Sequence, residues 1–281
     1  MSDSKSWNAD SSSLLKNIYR CADKSSWYSQ VAVAYDRTRP RYPTGIMNRM
    51  QKVANLQPHT KILEIGSGPG IASVELAKLE VEMVCIEPSL AACEIARRKC
   101  AAYSNIKFIN TTFEEWTLEK QKFDAVIATT SFHWVTPEIR NQKTAAALKE
   151  NGVLILLWNT PPQPNYQIFQ SLKDIYLTYA PDLAQYEEHQ AYQENLAQIG
   201  QEVINSGYFK DLISEQVISK VVYSIDDYLT LLSTLSPYIR LTTIDRNTLF
   251  TQLKQRLENT NNNQLELSYL SILQVASKNN M

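Results

Sequence analysis

Three of the chain's 7 glycines fall close together, at Gly66, Gly68 and Gly70, in the run Leu63-Glu64-Ile65-Gly66-Ser67-Gly68-Pro69-Gly70-Ile71. Glycine has no Cβ, so such a run permits a tight turn with positive φ and lets the backbone approach a ligand. The free N–H groups of a following helix start then face that ligand. A dinucleotide fingerprint, G-x-G-x-x-G, would need glycine at position 71, where Ile71 stands. A nicotinamide cofactor is therefore disfavoured. Further along, Glu87 in Ile86-Glu87-Pro88-Ser89 offers a carboxylate able to accept hydrogen bonds from both hydroxyls of a ribose. His133 is the one histidine of 3 that follows an apolar, strand-like run. Imidazole titrates near neutrality, so His133 is a candidate general base, with packing or orientation of a neighbour as the alternative. Cys21, Cys85, Cys93 and Cys100 show no C-x-x-C spacing, and no set of metal ligands emerges.

These residues need elements to hold them. Short apolar runs at Lys61–Ile65, Met83–Glu87, Ile106–Ile109, Ala125–Ala128 and Gly152–Trp158 alternate with helical patterns at Ile71–Leu79, Ser89–Tyr103 and Pro137–Glu150. Strand–helix alternation implies a parallel sheet covered on both faces, an α/β doubly wound architecture whose ligands bind beyond the carboxyl ends of the strands. The candidate residues all follow such ends. Upstream, a helical flank closes at Arg39-Pro40-Arg41-Tyr42-Pro43, where two prolines enforce extended backbone. Downstream, Pro161-Pro162-Gln163-Pro164 ends the alternation. Helical patterns follow at 166–206, then a strand at 212–223, helices at 226–233 and 245–259, and a last strand at 265–276 after the Asn-rich 259–263 connection.

With its G-x-G-x-G spacing and its Glu87, the chain resembles the class I S-adenosylmethionine-dependent methyltransferase superfamily. Tyr35-Asp-Arg-Thr-Arg-Pro-Arg-Tyr-Pro43 and Ser131-Phe-His-Trp134 make it similar to the small-molecule branch that includes trans-aconitate methyltransferase. The resemblance implies a Rossmann-like, mostly parallel seven-stranded sheet with an inserted helical cap, and S-adenosylmethionine as cofactor with S-adenosylhomocysteine as product. It implies domains at 1–50 (a flank closing over the cofactor), 51–160 (the cofactor-binding core), 161–208 (the cap) and 209–281 (C-terminal strands and cap helices). Carried over, Glu64 is the acidic residue ahead of the glycine loop. Gly66 and Gly68 wrap the methionine part, Glu87 accepts from the ribose, and Ser67, Gly70 and Pro88 complete the cofactor-binding set. Thr112 and Phe113 fall at the adenine positions, Ala128 and Thr129 at the methionine end. Where the family often has Asp, Thr112 would offer a hydroxyl. Asn159-Thr-Pro-Pro162 is not the Asn-Pro-Pro-aromatic motif of nucleic-acid amino methylation, because it carries an extra Thr and follows the fifth strand.

Arg37, Arg39 and Arg41 alternate along an extended stretch, and Arg39 is the candidate for the cofactor carboxylate. Of 15 tyrosines only Tyr103 lies between Lys61 and Asn159, so the flank and cap supply the aromatic walls. Tyr35, Tyr42, Trp134, Tyr238 and Arg240 are the candidate substrate contacts. No arginine occurs between Tyr166 and Leu232, which argues against a polycarboxylate acceptor. Lys+Arg at 28 against Asp+Glu at 29 gives a net charge of −1, so neither nucleic acid nor an anionic membrane is an expected partner. With 44% hydrophobic and 20% charged residues, no apolar run of membrane-spanning length and no signal-like start, a cytoplasmic protein acting as monomer or homodimer is expected. The reading is an enzyme that methylates a carboxylate, hydroxyl or amine of a small molecule without a metal. The rival readings are a non-catalytic cofactor-binding protein on this fold and an RNA methyltransferase.

Overall fold

The computed structural model of the protein describes residues 24–260 and 263–280. Cys21, the first part of the 1–50 flank and two positions of the 259–263 connection lie outside the described residues. The strands are β1 (Lys61–Ile65), β2 (Glu82–Ile86), β3 (Ile106–Ile109), β4 (Phe123–Thr129), β5 (Leu148–Asn159), β6 (Gln163–Pro164), β7 (Phe209–Ser224) and β8 (Gln264–Lys278). They join in the order β3-β2-β1-β4-β5-β8-β6, with β7 along the other edge of β8. The first five run parallel, and β8 is antiparallel to β5, β6 and β7. The expected sheet is thus present with one addition, the two-residue β6. Strand order reverses between β1 and β4, which opens a crevice beyond their carboxyl ends.

Alternation along the strands assigns the two faces. Leu63, Ile65, Val126, Ala128, Leu154 and Leu156 pack one way, with Ala145 and Ala147 of α5 (Pro137–Ala147) and Ile199 and Val203 of α7 (His189–Asn205). Ile62, Ala125, Ile127, Ile155 and Leu157 pack the other way, with Ile46 and Met50 of α2 (Thr44–Val53) and Leu76 of α3 (Ser73–Ala77). Burial on both faces is what makes these runs continuously apolar.

A separate core gathers Leu172 and Tyr176 of α6 (Tyr166–Tyr179), Leu231 and Leu232 of α8 (Ile225–Ser233), Tyr238 of α9 (Ser236–Ile239) and Leu249, Leu253 and Leu257 of α10 (Thr243–Thr260). The leucines of α10 recur every fourth residue and share one stripe. Each contributes about 1.5–3 kcal/mol by burial. Within 161–208 the packing divides: α6 and the following turn with Ala180 and Ala184 join the cap cluster, whereas α7 covers the main sheet. Finally, α1 (Lys24–Thr38) lies on α4 (Leu90–Lys99), burying Ala32 against Ala92 and Ile95. Ser29 and Ser89 share a hydrogen bond of 2.9 Å there, and Lys99 pairs with Asp36.

Candidate active site

The crevice beyond β1, β2 and β4 holds a cavity of about 430 Å³. Its floor is the glycine loop. Gly66 and Ser67 donate their N–H groups to Ile86 O at 2.8 and 3.1 Å, which ties the loop to the end of β2. Gly66 adopts φ +66, and a Cβ on it would lie 2.7 Å from Ser131 Cβ, so no other residue fits. Gly68, at φ +55, is different: a Cβ there would project into the cavity, its nearest neighbour being Tyr28 Oη at 3.9 Å.

Glu87 borders this floor and is almost fully buried. Its Oε2 accepts the Gly68 N–H and its Oε1 the Ser89 N–H, each at 2.8 Å. Burial pushes its carboxyl up to about 7 against those two hydrogen bonds. Glu64 sits beneath the loop, fully buried, accepting from Ser73 Oγ at 2.6 Å and from Cys85 Sγ and Thr129 Oγ1 at 3.4 Å. Burial raises it to about 7 as well. A site with two acidic groups under its glycine loop repels a pyrophosphate and suits a ligand that brings hydroxyl donors and a cation. Ser67 Oγ, buried at the cavity wall, has no partner.

The walls come from α1 and from the segments after β3 and β4. Tyr28 and Tyr35, seven residues apart on one helical face, stand with ring centroids 4.8 Å apart. At the opposite end, Thr112 Oγ1 accepts the Glu115 N–H at 3.1 Å and donates to Glu115 Oε2 at 3.0 Å. The Thr112 hydroxyl is therefore engaged, and Glu115 brings a carboxylate to that end of the cavity. Glu114 beside it accepts from Thr136.

Of the expected residues, the structure brings Gly66, Ser67, Gly68, Glu87, Pro88, Thr112, Phe113, Thr129, Tyr35, Tyr42 and Trp134 to the cavity wall. Glu64, Gly70 and Ala128 lie behind it. Arg39 is displaced into a narrow annex of about 20 Å³ that continues the cavity past Tyr35 and Tyr42. There its Nε and Nη2 donate to Thr234 Oγ1 and O at 3.2 Å, and its guanidinium stacks on Tyr35 at 4.5 Å. Three expected residues stand away from the cavity. His133 is off the wall, its ring 5.2 Å from Trp134 and 5.6 Å from Trp158. Its turn, Phe132–Trp134, is a 3₁₀ helix with three residues per turn, so Trp134 faces the cavity and His133 points aside. Tyr238 is buried in the cap core, sharing a 2.9 Å hydrogen bond with Tyr176 Oη. Arg240 is exposed and borders neither cavity nor annex.

Residues that the sequence did not reveal include Tyr28, Glu115 and Thr130 at the cavity, and Asn159 and Thr160 at the annex. Thr130 held a signal in its position directly after β4. It is a β-branched residue at φ +54, a strained conformation of the kind that clusters at functional sites. Among the described residues, no three His, Cys, Asp or Glu side chains gather as a metal site, and no helix is long and apolar enough to cross a membrane. Cys85, Cys93 and Cys100 are buried free thiols.

Comparison with known proteins points to one class. Residues 62–152 match the family model described as a methyltransferase domain. The chain is 28% identical over 138 residues to an uncharacterized methyltransferase of Mycobacterium tuberculosis, covering 49% of this chain and 54% of that protein. It is 28% identical over 149 residues to the demethylmenaquinone methyltransferase of Clavibacter sepedonicus, covering 50% and 60%. The chain spans about half the length of the curated relatives it matches. Among solved structures, a protein of Anaeromyxobacter dehalogenans provisionally assigned as a type II methyltransferase superposes with TM-score 0.60 at 17% identity, covering 84% of this chain and 97% of that one. Haemonchus contortus phosphoethanolamine N-methyltransferase 2, in complex with phosphomonomethylethanolamine and S-adenosylhomocysteine, superposes with TM-score 0.54 at 15% identity, covering 94% and 60%. The fold is thus the Rossmann-like α/β fold of methyltransferases.

Proposed function

We propose that the protein is an S-adenosylmethionine-dependent methyltransferase acting on a small-molecule acceptor, a carboxylate, hydroxyl or amine. One observation carries this reading: Glu87 stands at the end of β2, joined to the Gly68 N–H, on the edge of a cavity floored by the glycine loop. The residues present fit the cofactor. The unpartnered Ser67 Oγ can receive a ligand polar group, and the Cβ that Gly68 lacks would fill ligand space. The near-neutral chain charge and the Tyr35–Pro43 and Ser131–Trp134 segments favour the small-molecule branch.

Glu87 would accept the ribose hydroxyls, Thr112 to Glu115 would flank the adenine, and the loop from Gly66 to Gly68 with Thr129 would follow the methionine part. When bound, S-adenosylmethionine supplies a methyl group already activated on a sulfonium, so the protein contributes positioning and exclusion of water. Tyr28, Tyr35 and Tyr42 present ring faces and edges around that end, where a cation gains by contact with them. Burial pushes the Tyr42 phenol well above its ordinary value, so it stays protonated and acts as a hydrogen-bonding group rather than a base. His133, turned away, serves by packing between Trp134 and Trp158.

The test is transfer of labelled methyl from S-adenosylmethionine to a panel of carboxylates, alcohols and amines, run beside Glu87→Ala. Label in a metabolite with the native enzyme, lost in the variant, supports the reading. Cofactor binding with no transfer to any member of the panel argues for a cofactor-binding protein instead.

A further inference from the structure

Asn159 is the last residue of β5, and its polar groups reach three other chain segments. Its backbone N–H donates to Thr130 Oγ1 at 3.1 Å, after β4. Its Nδ2 donates to Pro40 O at 3.2 Å and Arg41 O at 3.5 Å, in the stretch between α1 and α2. Its Oδ1 accepts from Ser271 Oγ at 2.6 Å, on β8. The orientation of the amide is dictated by these partners: two backbone carbonyls accept only, so the NH₂ must face them, which leaves the oxygen for the serine hydroxyl. Asn159 is 9% exposed, and Ser271 is fully buried.

The stretch from Arg39 to Pro43 cannot hold itself. Pro40 and Pro43 have no N–H, so the segment builds no ladder of its own; the Pro43 carbonyl takes the Ile46 and Met47 N–H groups of α2, and the Pro40 and Arg41 carbonyls take side-chain donors. Tyr269 Oη supplies one to Arg41 O at 3.2 Å, Tyr223 Oη one to Thr38 O, and Asn159 spans the middle. On either side of this suspended pair stand Arg39 and Tyr42. Tyr42 Oη lies 3.1 Å from Thr130 Oγ1, the same atom that receives the Asn159 N–H. The left-handed Thr130 is pinned further by its N–H to Leu157 O at 2.8 Å. Arg39, Tyr42, Thr130 and Asn159 together line the annex at the methionine end of the cavity.

We propose that Asn159 is a positioning residue for that end of the site: its amide sets the Pro40–Arg41 backbone, and thereby holds Arg39 and Tyr42 where the amino-acid part of the cofactor is received. The inference rests on the proposed cofactor. It separates Asn159 from the ribose and adenine subsites, which β2 and β3 build without it. Asn159→Asp is the informative variant. A carboxylate at 159 still accepts from Ser271 but cannot donate to Pro40 O or Arg41 O, so the tie to β8 survives while the tie to the 39–43 stretch is lost.

The experiment compares two ligands by calorimetry on the full chain: S-adenosylhomocysteine, and 5′-methylthioadenosine, which lacks the amino-acid part. Asn159→Asp is expected to weaken S-adenosylhomocysteine by about tenfold and 5′-methylthioadenosine by less than about twofold. Equal weakening of both, or of neither, overturns the proposal. A native protein that binds neither ligand overturns the cofactor reading itself, and the inference with it. Should Asn159→Asp fail to fold, Ser271→Ala removes the hydroxyl that anchors the amide. It is expected to show the same selectivity at about threefold, and an unselective or null effect is again contrary.

Discussion

Glu87 shows how one buried carboxyl couples ligand and pH. In the free protein its environment disfavours charge, and its pKa stands at about 7 where a solvated glutamate has 4.5. A folded-state value above the unfolded one means that its contribution to stability is fully present below about pH 4.5 and is lost as pH rises through about 7. Glu87→Gln, which cannot ionise, should therefore gain stability relative to the native protein across that window; a gap in melting temperature that stays flat from pH 4.5 to 7.5 would contradict this. Binding of the proposed cofactor should have the opposite sign, because its ribose hydroxyls would donate to the ionised form. S-adenosylhomocysteine affinity should rise with pH, by up to about tenfold per unit, until pH passes about 7. Isothermal titration at pH 5.5, 6.5 and 7.5 reads the slope, and affinity that falls over this range would refute it. Ionised Glu64, under the same loop, adds in the same direction.

At the scale of elements, α1 is the roof, held to α4 by the Ser29–Ser89 hydrogen bond and the Lys99–Asp36 pair. Asp36 also takes Arg41 Nη1 at 3.3 Å, so it joins the roof to the stretch that follows. Asp36→Ala should loosen that closure and raise the dissociation rate of S-adenosylhomocysteine by about two- to fivefold, as a partly exposed pair allows. Stopped-flow displacement measures this, and an unchanged rate would show that the pair does not govern closure. The central strands were legible in the sequence because both their faces are buried, which writes an unbroken apolar run. The glycine loop and Glu87 were legible because each type is demanded by its place. The partition of the cap was not. A helical stripe in α7, such as Ile199 and Val203, declares that something is buried but not against what. The side on which His133 stands was hidden for a related reason: a strand end locates the residue, and the 3₁₀ turn decides which side chain faces the cavity. Asn159 stayed hidden because its partners, Pro40 and Ser271, are distant in the chain and adjacent only in the fold.

At the scale of the molecule, a doubly wound core supplies the crevice beyond its strand ends, while a second apolar core of α6, α8, α9 and α10 stands beside it. The two meet near the 39–43 stretch, where Arg39 from the core side donates to Thr234 at the end of α8. The central claim is that the cavity receives S-adenosylmethionine, and titration calorimetry with S-adenosylhomocysteine at pH 7.5 tests it most directly. The native protein should bind one equivalent. Gly68→Asn, which tolerates the left-handed backbone but projects a side chain into the cavity, should bind at least about tenfold more weakly while remaining folded. No saturable heat from the native protein, or undiminished binding by a folded Gly68→Asn, would contradict the claim.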